Sequence, residues 1–224
     1  MDYEKSKLNQ VKRGWKKASY KQQDVFDILD ASEICHIAFN YEGRAFVQPI
    51  NFGRHEDKLY VHGSYKNRMT TALVDAEEIC LNVMVLDGMK LTRSAFHHSV
   101  NYRSVMVFGT VRELESDKDK LIGLKAIINH FVPNRWEHCR PPDDKELKAT
   151  RVLEISIDSA SCKIANTPTE DKEMDLSSPY WAGIIPVQSH LAKAIPSEDL
   201  DASIELPEHI SDFIESKNAN RWTN

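Results

Sequence analysis

Short β-rich runs joined by glycine-bearing turns hold this chain to an antiparallel sheet. Ile34 to Tyr41 is followed by Glu42-Gly43 and then by Arg44 to Phe52. A glycine-containing pair between two strand-length runs is a hairpin signal. Further runs follow at Lys58–His62, Glu78–Leu86, Ser104–Leu114 and Thr150–Ala165, with Asp87-Gly88 reading as a turn. Pro49 lies inside the second run, and a residue without an N–H belongs to an edge strand or a bulge. Helical spacing appears over residues 20–32 behind a Ser19 cap. It returns at Leu121, Ile122, Leu124, Ile127, Ile128 and Phe131 behind Ser116, and Pro133 ends that helix. The pattern predicts a mainly β fold with flanking helices, a small antiparallel barrel. The eight glycines form no G-x-G-x-x-G and no P-loop, which disfavours a dinucleotide-type Rossmann cradle.

At 224 residues the chain makes one large domain, or one domain with an appendage. Residues 1–18 read as a basic arm and residues 19–166 as the barrel. Residues 167–224 read as a C-terminal extension that packs on the barrel or on a partner, with a helix at 207–217. The extension has an apolar island at Tyr180–Pro186, which needs a surface to bury it. A net charge of −5 gives no general attraction to nucleic acid. Met1 to Lys17 lacks the apolar core of a secretory signal, and no run is long enough to span a bilayer. The four cysteines form no C-x-x-C pair, and the reading is of free thiols in a cytoplasmic protein.

Two stretches gather chemistry. Between Gly88 and Gly109 stand Lys90, Arg93, His97, His98 and Arg103 beside the hydroxyls of Thr92, Ser94, Ser99 and Ser104. Such donors next to β-structure either meet an anionic ligand or form a solvated turn. The second stretch is His62-Gly63-Ser64, which opens a helix bearing Lys66, Asn67 and Arg68. Basic residues in a first turn oppose the helix dipole, which favours a bound phosphate over a merely capped helix. His62 ends its strand, where its side chain faces either a ligand or a backbone carbonyl. Metal is not expected: His97 and His98 diverge if they lie in a strand, and neither they nor His130, His138 and Cys139 have a carboxylate triad. His36 beside Cys35 reads as a core histidine. The G-x-S-x-G elbow of serine hydrolases is absent.

Gln48-Pro49-Ile50, His62-Gly63-Ser64, Asn67-Arg68, the run Thr92 to Ser99, Asn101-Tyr102-Arg103-Ser104 and Trp181-Ala182-Gly183 together resemble the pyridoxamine 5′-phosphate oxidase-like flavin proteins. The resemblance is to their nitroimidazole-resistance-type, flavin-nucleotide-binding branch, and it covers roughly residues 13–187. It implies a split β-barrel and a homodimer with FMN in clefts at the subunit interface. By position, Gln48, Pro49, Ile50 and Asn51 would line the isoalloxazine edge, and His62, Gly63 and Ser64 would lie under the ring and ribityl chain. Asn67 and Arg68 would hold the phosphate with help from Arg93 and Ser94, while Arg103 and Ser104 approach from the next strand. His62 is the one catalytic candidate.

The chain departs from the family in two ways. Asn67 stands where Ser is common, and residues 188–224 lack the Arg-x-His helix of the vitamin oxidases, which counts against pyridoxamine phosphate as substrate. The function implied is transfer of electrons through FMN to a small acceptor, with a nitro-compound as one candidate. The alternative is a flavin- or haem-binding carrier or sensor without turnover.

Overall fold

The computed structural model describes residues 2–219. Met1 and residues 220–224, the outer ends of the expected arm and extension, lie outside the described residues. In chain order the elements are β1 (Ala18–Ser19), α1 (Gln22–Leu29), β2 (Ile34–Tyr41), β3 (Arg44–Asn51), β4 (Gly53–His55), β5 (Lys58–Ser64), α2 (Arg68–Val74), β6 (Ile79–Leu91), β7 (Ser99–Gly109) and β8 (Val111–Glu113). They continue with α3 (Asp117–Phe131), α4 (Asp144–Ala149), β9 (Thr150–Ser156), β10 (Ser159–Ala165), β11 (Gly183–Pro186) and α5 (Glu208–Ala219).

The strands form two antiparallel sheets of a split barrel. One runs β1-β10-β7-β6-β2-β3, with β11 added to β6, and the other runs β4-β5-β9-β8. Glu42 and Gly43 both take positive φ (50° and 73°), the two-residue geometry that suits the twist of the β2–β3 hairpin. β3 ends its sheet, so Pro49 sits on an edge, as its missing N–H requires. Alternation sends Cys35, Ile37, Leu81, Val83, Val105 and Val107 inward from the large sheet. There they meet Leu59, Val61, Leu153 and Ile155 of the small one. On the other face of the small sheet α3 lays Ala126 and Ile127 against Tyr60 and Val152. That approach is close: a Cβ on Gly53 would lie 2.5 Å from backbone atoms of Ala126 and Ile127.

Several boundaries differ from the sequence reading. Ser19 pairs with Cys162 in a ladder, and α1 starts at Gln22 with Lys21 in the cap position. Asp87-Gly88 is a bulge rather than a turn, so β6 runs on to Leu91. Two contacts hold it straight: Asp87 takes the Arg103 guanidinium and Gly88 pairs with Pro186 of β11. The expected strand 104–114 starts at Ser99 and breaks at Thr110, and the long run 150–165 breaks after Ser156. At both breaks the chain crosses between sheets. The two corners touch there, since a Cβ on Gly109 would lie 1.8 Å from the Ser156 carbonyl oxygen. The basic arm is not a loose tail. Buried Asn9 donates from Nδ2 to the carbonyls of Glu4 (2.9 Å) and Ala160 (3.2 Å), and so ties the arm to β10.

Candidate functional site

The loop between β5 and α2 is built from its neighbours. Gly63 is tightly enclosed, and a Cβ there would meet Thr70 Cγ2 at 2.9 Å. The N-cap of α2 is Asn67, not Ser64: Asn67 Oδ1 accepts from Met69 N at 2.9 Å, while Ser64 Oγ accepts from Lys66 N at 3.2 Å. Asn67 thus has a structural task that Ser could also perform, and its presence there leaves the helix capped. Ser64, Lys66 and Arg68 remain exposed. Arg68 lies 4.3 Å over the Phe46 ring. Among the described residues it forms no ion pair. His62, half-buried, has an Nδ1 that is buried without a hydrogen-bond partner. Burial pushes its pKa down, so the imidazole is neutral at pH 7.

An anchor that sequence reasoning missed holds this loop. Lys120 of α3 is buried, and its three N–H donors go to Tyr65 Oη, Leu147 O and Thr150 O, each at 3.0 Å. The Tyr65 ring also lies 4.8 Å from the Arg151 guanidinium. In sequence Lys120 reads as one of several charges at the start of a helix. Only the packing of α3 and α4 against β9 turns it inward.

The second donor cluster lies elsewhere. Phe46 pairs with Phe39 at the level where β6 begins, so Arg68 sits beside the start of that strand. Arg93 and Ser94 follow its end. β6 is 13 residues long, about 40 Å of strand. Within one chain, therefore, Arg68 and Arg93 cannot grip the same phosphate, and the shared grip expected from the sequence needs the two from different copies of the chain. Nor is Arg93 free. The Asp171 carboxylate accepts from its backbone N at 2.8 Å and from its guanidinium at 2.7 Å. Burial pushes the Asp171 carboxyl up, but these bonds outweigh it and leave the group below its ordinary value. Arg103 is likewise taken by Asp87, at 2.8 and 3.0 Å. Ser94 caps the 3-10 turn Ala95–His97 by accepting from Phe96 N. His97 and His98 therefore lie in a turn, not a strand.

Pro49, with Asn51 of β3 and Ser104 of β7, belongs to the outer face of the large sheet, whereas Gln48 and Ile50 share the inward rows of Ile37 and Cys35. The same outer face shows Val47, Met84 and Met106, which are 68%, 55% and 43% exposed. His36 stands there too, exposed, so it is not a core histidine. His130 Nε2 donates to Ser32 O at 2.9 Å. Cys35 and Cys162 are buried, and burial pushes each thiol up to about 12, which makes both inert. Cys80 is half-buried and Cys139 exposed.

A family model described as pyridoxamine 5′-phosphate oxidase matches residues 21–164. Among solved structures, the flavocytochrome Anf3 from Azotobacter vinelandii is 36% identical, with a TM-score of 0.87 over 93% of this chain and 97% of the other. A FAD and haem binding protein from Mycobacterium smegmatis is 30% identical, with a TM-score of 0.83 over 88% of this chain and 97% of the other. A structure described as a 5-nitroimidazole antibiotic resistance protein from Bacteroides thetaiotaomicron shares the fold at 22% identity and a TM-score of 0.56, over 66% of this chain and 86% of its own. No curated protein matches.

Proposed function

The chain belongs to the pyridoxamine 5′-phosphate oxidase family, and on that premise we propose that it is a flavin-dependent redox protein that also holds haem. The observation that carries this is the completeness of the likeness to the flavocytochrome and to the FAD and haem binding protein. Both are similar over nearly their whole length, and at 93% and 88% of this chain the likeness reaches into its extension as well. The second of these favours FAD over the FMN expected from the sequence alone.

The residues present fit a flavin phosphate. Ser64, Lys66 and the fork of Arg68, which forms no ion pair among the described residues, offer donors on one exposed loop. Bound flavin would supply one- and two-electron chemistry. This chain's part is to hold the phosphate and to place the neutral imidazole of His62 nearby, with one ring nitrogen unused by the fold.

We infer further that the working unit is a homodimer. Two observations support it: the exposed apolar residues on the outer face of the large sheet, and the separation of Arg68 from Arg93 along β6. In that dimer a second copy would bring the far end of one β6 to the loop of the other. Haem needs apolar walls and an imidazole. Met89, Val100 and Ile185 pair on one exposed face close to His98, with Phe96 86% exposed on the same turn.

The test is the absorption spectrum of the purified protein, with mass analysis of what denaturation releases. Flavin bands with a Soret band support the reading. A colourless protein that takes up neither flavin nor haem refutes it. Oxidation of NADH or NADPH with a panel of acceptors, nitro-compounds included, then separates an enzyme from a carrier.

A further inference from the structure

A second cationic cavity lies apart from the loop at Arg68. The folded arm, with Gly14 at a φ of 72°, sets Trp15 at its rim, and β6 and the extension form its other walls. It encloses about 720 Å³ among Trp15, Lys17, Lys90, His97, Ser99 and Glu170. Lys90 is 7% exposed, and among the described residues its ammonium has one partner, Thr167 Oγ1 at 2.8 Å. Two of its three N–H donors are therefore unused by the described fold. Burial pushes its pKa down, Lys17 adds to that, and Glu170 opposes it from beyond ion-pair distance. A buried ammonium without a counter-ion is costly, and an anion in the cavity removes the cost.

The mixture of groups says which anion. Two lysines suit a phosphate, an indole suits a planar ring, and a carboxylate suits ribose hydroxyls. Haem does not fit here, because apart from Trp15 and Ile164 the walls are polar or charged.

We propose that this cavity binds a 5′-mononucleotide unit, with the phosphate on Lys90 and Lys17, the ribose on Glu170 and the base against Trp15. The adenylate half of an FAD whose flavin phosphate sits on the Arg68 loop of a second copy is one source, and in that form the inference rests on the flavin and dimer readings above. A nicotinamide dinucleotide donor carries the same chemistry.

The test is calorimetric titration of AMP, and of inorganic phosphate, into the full-length protein in flavin-free and FAD-loaded forms. Flavin-free protein is expected to bind AMP in a salt-sensitive manner. Lys90→Met and Lys17→Glu should each weaken that binding by about ten- to a hundredfold. Trp15→Ala should weaken AMP but leave phosphate nearly unchanged. Loss of AMP binding on FAD loading identifies FAD as the source, and retention identifies a donor nucleotide. No AMP binding by flavin-free protein would overturn the proposal. So would unchanged affinity in both Lys17→Glu and Trp15→Ala, whose positions lie outside the core. AMP binding in a protein that takes no flavin would refute the flavin reading and leave this one standing.

Discussion

Replacing Arg68 by Ala separates the two things this side chain does. Its contact with Phe46, 4.3 Å from guanidinium to ring centre, is worth about 0.5–1 kcal/mol at an exposed site. The fold asks little else of it, since Asn67 caps α2 and Met69, Thr70 and Leu73 bury the helix without it. Urea unfolding of flavin-free Arg68→Ala should thus lose about 1 kcal/mol at most. Its grip on a flavin phosphate is a charge-assisted pair worth about 1.5–3 kcal/mol, so Kd for flavin should rise roughly ten- to a hundredfold. Arg68→Lys keeps the charge but loses the two-pronged fork, and should fall between. The assay is titration of flavin fluorescence quenching beside urea denaturation of the same samples. Unchanged flavin affinity in Arg68→Ala would refute the placement of the phosphate. A stability loss several times larger than expected would show that Arg68 serves the fold instead.

Three other outcomes are expected. Tyr65→Phe removes the one side-chain acceptor of Lys120 and should cost about 1–2 kcal/mol in urea unfolding, with weaker flavin binding because the loop loses its anchor; full retention of both would show the anchor to be idle. Gly53→Ala drives a methyl into the α3 backbone and should destabilise by about 3 kcal/mol or more, and a melting temperature like that of the wild type would disprove so close a packing. Asp171 has a folded pKa below its unfolded value. Its contribution is therefore present above the unfolded pKa and lost as pH falls through the folded one. Limited proteolysis of the segment after Ala165 should accelerate below about pH 4, and in Asp171→Asn at neutral pH. Equal cleavage rates at pH 7 in wild type and variant would refute this.

What the sequence could show was local. The β2–β3 hairpin is legible because Glu42-Gly43 sets its turn chemistry, and the α3 start because Ser116 caps it whatever surrounds it. The exposed basic loop ahead of α2 was legible as well, since a basic first turn is a local oddity. What failed depended on distant partners. Asp87-Gly88 looks like a turn until Arg103 and Pro186 occupy it. Arg93 looks free until Asp171, 78 residues on, takes it. Lys120 reads as a surface charge because nothing near it in sequence says that it is buried. That Arg93 and Arg68 lie apart within one chain was hidden for a different reason: motif order along a chain carries no information about which end of a long strand each motif occupies.

The extension also sets a clock. Thr167 receives Lys90 and pairs with Asn101, Asp171 holds Arg93, and β11 completes the edge of β6, all across 66 residues of chain or more. During synthesis the barrel's first strands leave the ribosome long before these late residues exist. The end of β6 therefore waits half-made until residue 186 has emerged. A chain cut short by a premature stop anywhere before Asp171 would carry a nearly whole barrel with Arg93 unpaired and the end of β6 uncovered.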